Sequence, residues 1–289
     1  MTHTARPADR LRQIIVLILS LLAIAGAFLG SGALGGTAIQ DAAGGALSSE
    51  STLIAPAGPA FSIWSVIYLG LLGYAVWQLF PGQATRAVHR RVGYLMAASM
   101  LLNAGWIGVV QLGSVGGSVI VIVVLLAVLG VTFRLVLRTP RGDVPRWARV
   151  VESIVLDGTL GLYLGWVTIA TAANVSAWLT DAGFSGFGID PEIWGVGVVA
   201  VAAAIGAATA AADRGRLTPA LALAWGLSWL AVARLTGEPA SVTVAVAAII
   251  AAVVVLAAAV ASRLVARRAG ERASTGAHVH REEPAHRDA

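Results

Sequence analysis

Eight uninterrupted apolar runs, each about as long as the helix that crosses a bilayer, limit this chain more than any other feature. They lie at residues 12–33, 60–80, 92–112, 117–137, 157–179, 193–212, 217–235 and 241–265. A spanning helix needs about 20 mostly apolar residues. The runs are continuous rather than alternating, which favours helices over strands. In lipid every backbone polar group must be bonded inside the protein, and a helix does this unaided. The expectation is an all-α polytopic membrane bundle of about eight transmembrane helices. The chain is 57% hydrophobic and 12% charged, with mean hydropathy +0.81, whereas a soluble domain carries about 25% charged residues. That deficit makes lipid the solvent.

The loop charges test the count of spans. The N-terminus holds Arg6, Arg10 and Arg12, whereas the segment 34–59 holds Asp41, Glu50 and no arginine. Arg86, Arg90 and Arg91 follow the second run, and the turn 113–116 is uncharged. Residues 138–151 carry Arg138, Arg141, Arg146 and Arg149, while 180–192 carry only acids. Arg214 and Arg216 come next, then Glu238, then Arg263, Arg267, Arg268 and Arg272. Basic and non-basic connections alternate, so the expected location is an integral (plasma) membrane with both termini cytoplasmic. Adding or dropping one helix would spoil the alternation. The first run has no small-residue cleavage site and is read as a retained helix. The high isoelectric point therefore reports membrane orientation and not nucleic-acid binding.

The absence of cysteine excludes disulfides, thiolate metal sites and cysteine nucleophiles. The tail from about 270 is polar and expected to be disordered. Its His278, His280 and His286 are read as solvated rather than as a metal site.

Polar and aromatic residues inside the runs are the candidate site. Asn103 and Trp106 share a face of the third helix, and Trp64 and Tyr68 share a face of the second. Tyr163, Trp166, Ala170 and Asn174 form one stripe on the fifth. With about 1.5 Å rise per residue and helix ends taken as level, Trp64 lies ~6 Å inward, Trp106 ~9 Å and Trp166 ~20 Å. Rings with a few amides suit a pocket for a flat, apolar ligand. They suit helix packing and interfacial belts equally well, and residue types alone leave the two readings open. Trp77, Trp147, Trp178 and Trp194 sit near helix ends and read as belt residues.

Asp157 and Arg134 fall at similar depth, as a pair or as two separate interfacial side chains. Arg234 reads as an interfacial snorkel. "GAFLG", "AGWIG" and "GLYLG" offer small surfaces for helix approach.

Taken together, W-x-x-x-Y (Trp64, Tyr68), L-N-x-x-W (Leu102, Asn103, Trp106) and Y-L-x-W with a later asparagine (Tyr163, Leu164, Trp166, Asn174) resemble the translocator protein family. This is also called the tryptophan-rich sensory protein or peripheral benzodiazepine receptor family (TspO/MBR). The resemblance covers about residues 12–180. It implies a five-helix core (1–180) enclosing a pocket; the three further helices (181–266) and the cytoplasmic tail (267–289) lie beyond that family core. It also implies a tetrapyrrole-like ligand such as porphyrin or haem, no required cofactor, and assembly as a homodimer. By matching position, Trp64, Tyr68, Asn103, Trp106, Tyr163, Trp166 and Asn174 would line or brace that pocket. The sequence differs from the family in lacking tryptophan in the segment 34–59 and in carrying Leu162 where proline is usual.

The implied function is binding, transport or sensing of that ligand. The alternative is a secondary transporter of another small solute, for which an internal repeat and a midplane charge are missing. No paired carboxylates, zinc motif or nucleophile elbow suggests an enzyme, and none is expected.

Overall fold

The computed structural model of the chain describes residues 5–30 and 37–279. Its helices are α1 Pro7–Gly30, α2 Ile63–Trp77, α3 Ala87–Gln111, α4 Val115–Arg138, α5 Arg146–Glu152, α6 Thr159–Asp181, α7 Pro191–Ala212, α8 Leu217–Thr236 and α9 Val242–Val279. A 3₁₀ turn, Gly58–Ser62, leads into α2, and a π-helical turn, Ser153–Gly158, joins α5 to α6. Counting that joined pair as one span, eight helices among the described residues are long and apolar enough to cross a membrane. The chain is thus an all-helical integral membrane protein.

Local chemistry sets the boundaries. Pro7 opens α1 where no backbone donor is needed, and the Asp9 carboxylate accepts the Arg6 N–H at 3.0 Å. Asp190 does the same for Glu192 N–H at the start of α7, which begins with Pro191. Gly113, at φ +78°, takes the left-handed conformation that ends α3 and turns the chain into α4. Ser114 then caps α4 by accepting the Gly117 N–H.

Two spans differ most from the expected bounds. The fifth begins at Arg146, eleven residues early, because "RWARVVE" buries Ala148 and Glu152 while exposing Arg146, Trp147 and Arg149. Hydropathy cannot detect a turn whose buried face is so small. The last helix runs on to Val279, carrying His278 into a stretch expected to be tail. His280 and His286 lie outside the described residues.

In space the helices neighbour one another in the order α1, α3, α4, α6, α8, α9, α7, with α2 against α1, α6 and the π turn. The junction between the first five spans and the last three is tight. A Cβ on Gly165 would sit 2.1 Å from the Pro219 carbonyl oxygen, and one on Gly161 would sit 2.1 Å from Thr218 Oγ1. Of the three small-residue motifs, only "GLYLG" makes such a contact among the described residues; a Cβ on Gly26 of "GAFLG" would lie 3.8 Å from Ala104 Cβ, and one on Gly108 of "AGWIG" would meet open space.

One end of the bundle holds a network of ions. Arg86 and Arg141 both pair with Glu152, and Arg141 also reaches Asp157. Arg216, from the α7–α8 connection, pairs with Asp157 at 3.1 Å. Asp157 therefore takes Arg141 and Arg216 as partners, and Arg134 is exposed elsewhere. Asp9 is gripped by Arg90 Nε and Nη2 at 2.7 and 2.6 Å. Gln13 and Gln78 donate reciprocally to each other's carbonyls, joining α1 to α2.

Arg234 corrects a second expectation. It is 1% exposed and does not snorkel. Its guanidinium donates to the carbonyls of Pro239, at 2.6 Å, and Ser49. Two directed carbonyl partners inside the protein replace the water it would otherwise seek.

Candidate functional site

The opposite end of the bundle holds a cavity of about 610 Å³, its open mouth included. Its walls are Phe61 and Trp64 from the entrance of α2, Asn103 and Trp106 of α3, Ile122 and Leu125 of α4, and Trp166, Val167, Ala170, Ala173, Asn174 and Ala177 of α6. Leu47, Ser51, Ala55 and Pro56 roof it. Among the described residues, none that lines the cavity carries a charge.

The spacing of each helix explains its contribution. Asn103 and Trp106 are three apart on α3, and Trp166, Ala170 and Asn174 are four apart on α6, so each set faces one way. The alanines between the larger groups leave the hollow. Along α2, Trp64 and Tyr68 stack, with ring centroids 5.3 Å apart and planes 20° from parallel.

Five of the seven expected residues line the cavity: Trp64, Asn103, Trp106, Trp166 and Asn174. Tyr68 and Tyr163 stand behind them. Tyr68 Oη accepts from Asn103 Nδ2 at 2.6 Å. Tyr163 is fully buried and donates to the Ser99 carbonyl at 3.0 Å, while its ring meets Trp64 edge-on at 5.6 Å.

The level-end depth estimate fails at Trp166. Its ring meets Trp64 at 6.3 Å and Phe61 at 5.7 Å, although it lies three turns deeper in its helix. α2 has 15 residues and α6 has 23. At about 1.5 Å per residue, α6 is longer by on the order of 10 Å. The short helix leaves a notch in the bundle, and the segment before it folds into that notch as the roof.

Polar chemistry in the cavity is one-sided. Asn174 Oδ1 accepts from Trp106 Nε1 at 3.3 Å, and the Ser118 hydroxyl lies 3.0 Å away. Asn174 Nδ2 and Trp166 Nε1 are buried N–H groups with no hydrogen-bond partner among the described residues. Such groups are costly to leave unpaired. Two residues of the cavity wall thus carry buried donors that lack acceptors. Sequence reasoning missed Ser118, Phe61 and the roof. A serine one turn into an apolar helix signals little, and a loop of alanine, glycine and serine gives no hint of what it covers.

A family model described as TSPO-like protein matches residues 13–261. The match continues through α7, α8 and most of α9, well past the stretch that the sequence motifs reach. Among curated proteins and solved structures, none matches the chain.

Proposed function

The chain belongs to the TSPO-like protein family, and from that premise we propose that its cavity binds a flat, hydrophobic, tetrapyrrole-like ligand, to transport or to sense it. The observation that carries this reading is the cavity itself: three indoles and two amides converge from α2, α3 and α6, with two N–H groups unsatisfied. A ring system would stack against Trp64 or Trp166, and its acceptor atoms would take up the free N–H groups of Trp166 and Asn174. The walls carry no cation, so the acidic edge of a porphyrin would point out through the mouth. Because Trp64 already touches Tyr68, Tyr163 and Trp166, entry of a large ring requires those side chains to part.

The role is binding without catalysis. Coupled transport of another solute through Asp157 is less well supported, since that carboxylate is engaged by Arg141 and Arg216 in the ion network away from the cavity. Cytoplasmic termini and a homodimer complete the proposal.

Quenching of tryptophan fluorescence by protoporphyrin in the purified chain tests the reading. Saturable quenching is expected, with the midpoint raised about tenfold or more in Trp166→Ala and in Asn174→Leu, as for loss of one stacked ring or one charge-free anchor worth over 1.4 kcal/mol. Linear, non-saturating quenching, or midpoints unmoved by both changes, would overturn it.

A further inference from the structure

The cavity roof is fastened to α8. Trp225 Nε1 donates to the Ala60 carbonyl at 2.9 Å, and the Ala57 N–H donates to the Trp229 carbonyl at 3.1 Å. Two turns on, Arg234 donates to the Ser49 carbonyl and to the Pro239 carbonyl. These three attachments bracket Ser51, Ala55 and Pro56, which face the cavity.

Arg234 is the unusual member. A guanidinium buried in a membrane-spanning helix is costly and is found where its position matters. It forms no ion pair among the described residues. An apolar side chain would fill the same space at lower cost. What only arginine supplies is a pair of directed donors that reach two segments at once, one in the roof and one in the α8–α9 turn. Ser49 and Arg234 are 185 residues apart, so the bond joins the first connection of the chain to its last pair of helices.

We propose that Arg234 is the positioning residue of the cavity roof, and that α8, through Arg234, Trp225 and Trp229, clamps residues 49–60 over the cavity. The clamp gives α8 a role at a site it does not line: it holds the roof in place. A ligand that enters beneath the roof, and not through the mouth, requires the Arg234–Ser49 bond to break. Only this last consequence rests on the ligand-binding reading above; the clamp stands on the geometry alone.

The chain has no cysteine, so a single thiol can report on the roof. Ala55→Cys places it at a cavity-facing position that is 4% exposed, and Leu129→Cys places a control at a fully buried position in α4. Both are labelled with a water-soluble maleimide in the detergent-solubilised full chain, with Arg234 intact or changed. Arg234→Met should speed labelling of Ala55→Cys about tenfold or more, the factor expected when a hydrogen bond from a charged group is lost. Arg234→Lys should restore part of the protection, and Leu129→Cys should stay slow throughout. Trp225→Phe, which keeps a ring and removes only the bond to Ala60, should act in the same direction and serves alone if Arg234→Met does not fold. Labelling of Ala55→Cys that stays within about twofold of the parent in these variants, or that rises together with Leu129→Cys, would overturn the clamp. Protoporphyrin quenching on the same samples separates the two claims. Accelerated labelling without binding sinks the ligand and keeps the clamp, and binding with unchanged labelling does the reverse.

Discussion

Asn174 Oδ1 accepts the Trp106 indole N–H and lies within reach of the Ser118 hydroxyl, so one amide joins α3, α4 and α6 at the cavity wall. Asn174→Ala would leave the indole N–H without its acceptor and should cost about 1–3 kcal/mol, read as a lower melting temperature in detergent. Tyr163→Phe is the contrasting change. It removes a hydroxyl bonded to Ser99 outside the cavity, so the loss should be about 0.6 kcal/mol, the average for polar contacts between membrane helices, with protoporphyrin affinity unchanged. At this scale the sequence was informative where spacing is local. Asn103 with Trp106, and Trp166 with Asn174, declare their shared faces. It was silent on whether a residue touches the cavity or stands behind it, because Tyr163 and Trp166 lie in one stripe and differ only in what the neighbouring helices bring against them.

Helix boundaries were legible because hydropathy and proline, glycine and serine caps act over a few residues. Contacts between helices were not. "GLYLG" is indistinguishable from "AGWIG" in sequence, yet only the first meets another backbone, at Pro219. Gly165→Ala should therefore destabilise the α6–α8 junction by about 1–3 kcal/mol, as overpacking does, while Gly108→Ala should be close to neutral; parallel thermal melts compare them. The α7–α8 connection adds a pH dependence. Asp213 is 3% exposed, with Oδ1 accepting the Arg216 N–H at 2.9 Å and Oδ2 unpartnered. Burial raises its carboxyl above the usual value, against the opposing pull of the Arg216 and Gly215 N–H groups and the Arg216 charge. A raised folded value means the native state holds the proton more tightly. The group's contribution to stability is thus full below the ordinary carboxylate range and lost as pH rises through the folded value. Asp213→Asn should flatten that decline in melts run from about pH 4 to pH 8.

Across the whole molecule the described arginines other than Arg234 collect at one end and the cavity opens at the other. The alternation of loop charge made this antiparallel order readable, since each loop reports its own side. The roof was not readable, because it depends on α2 being shorter than α6 and on an arginine 185 residues away. The same long-range bonds, with the family match over 13–261, join the last three spans to the helices that line the cavity, the proposed ligand site. Photo-cross-linking of the intact chain with a photoreactive porphyrin, followed by mapping of the labelled peptides, tests that most directly. The account predicts saturable label on residues 47–64 and 166–177, competed by unmodified protoporphyrin and reduced in Trp166→Ala. Label confined to the lipid-facing surfaces of α7 and α9, or label that protoporphyrin does not compete, would contradict it.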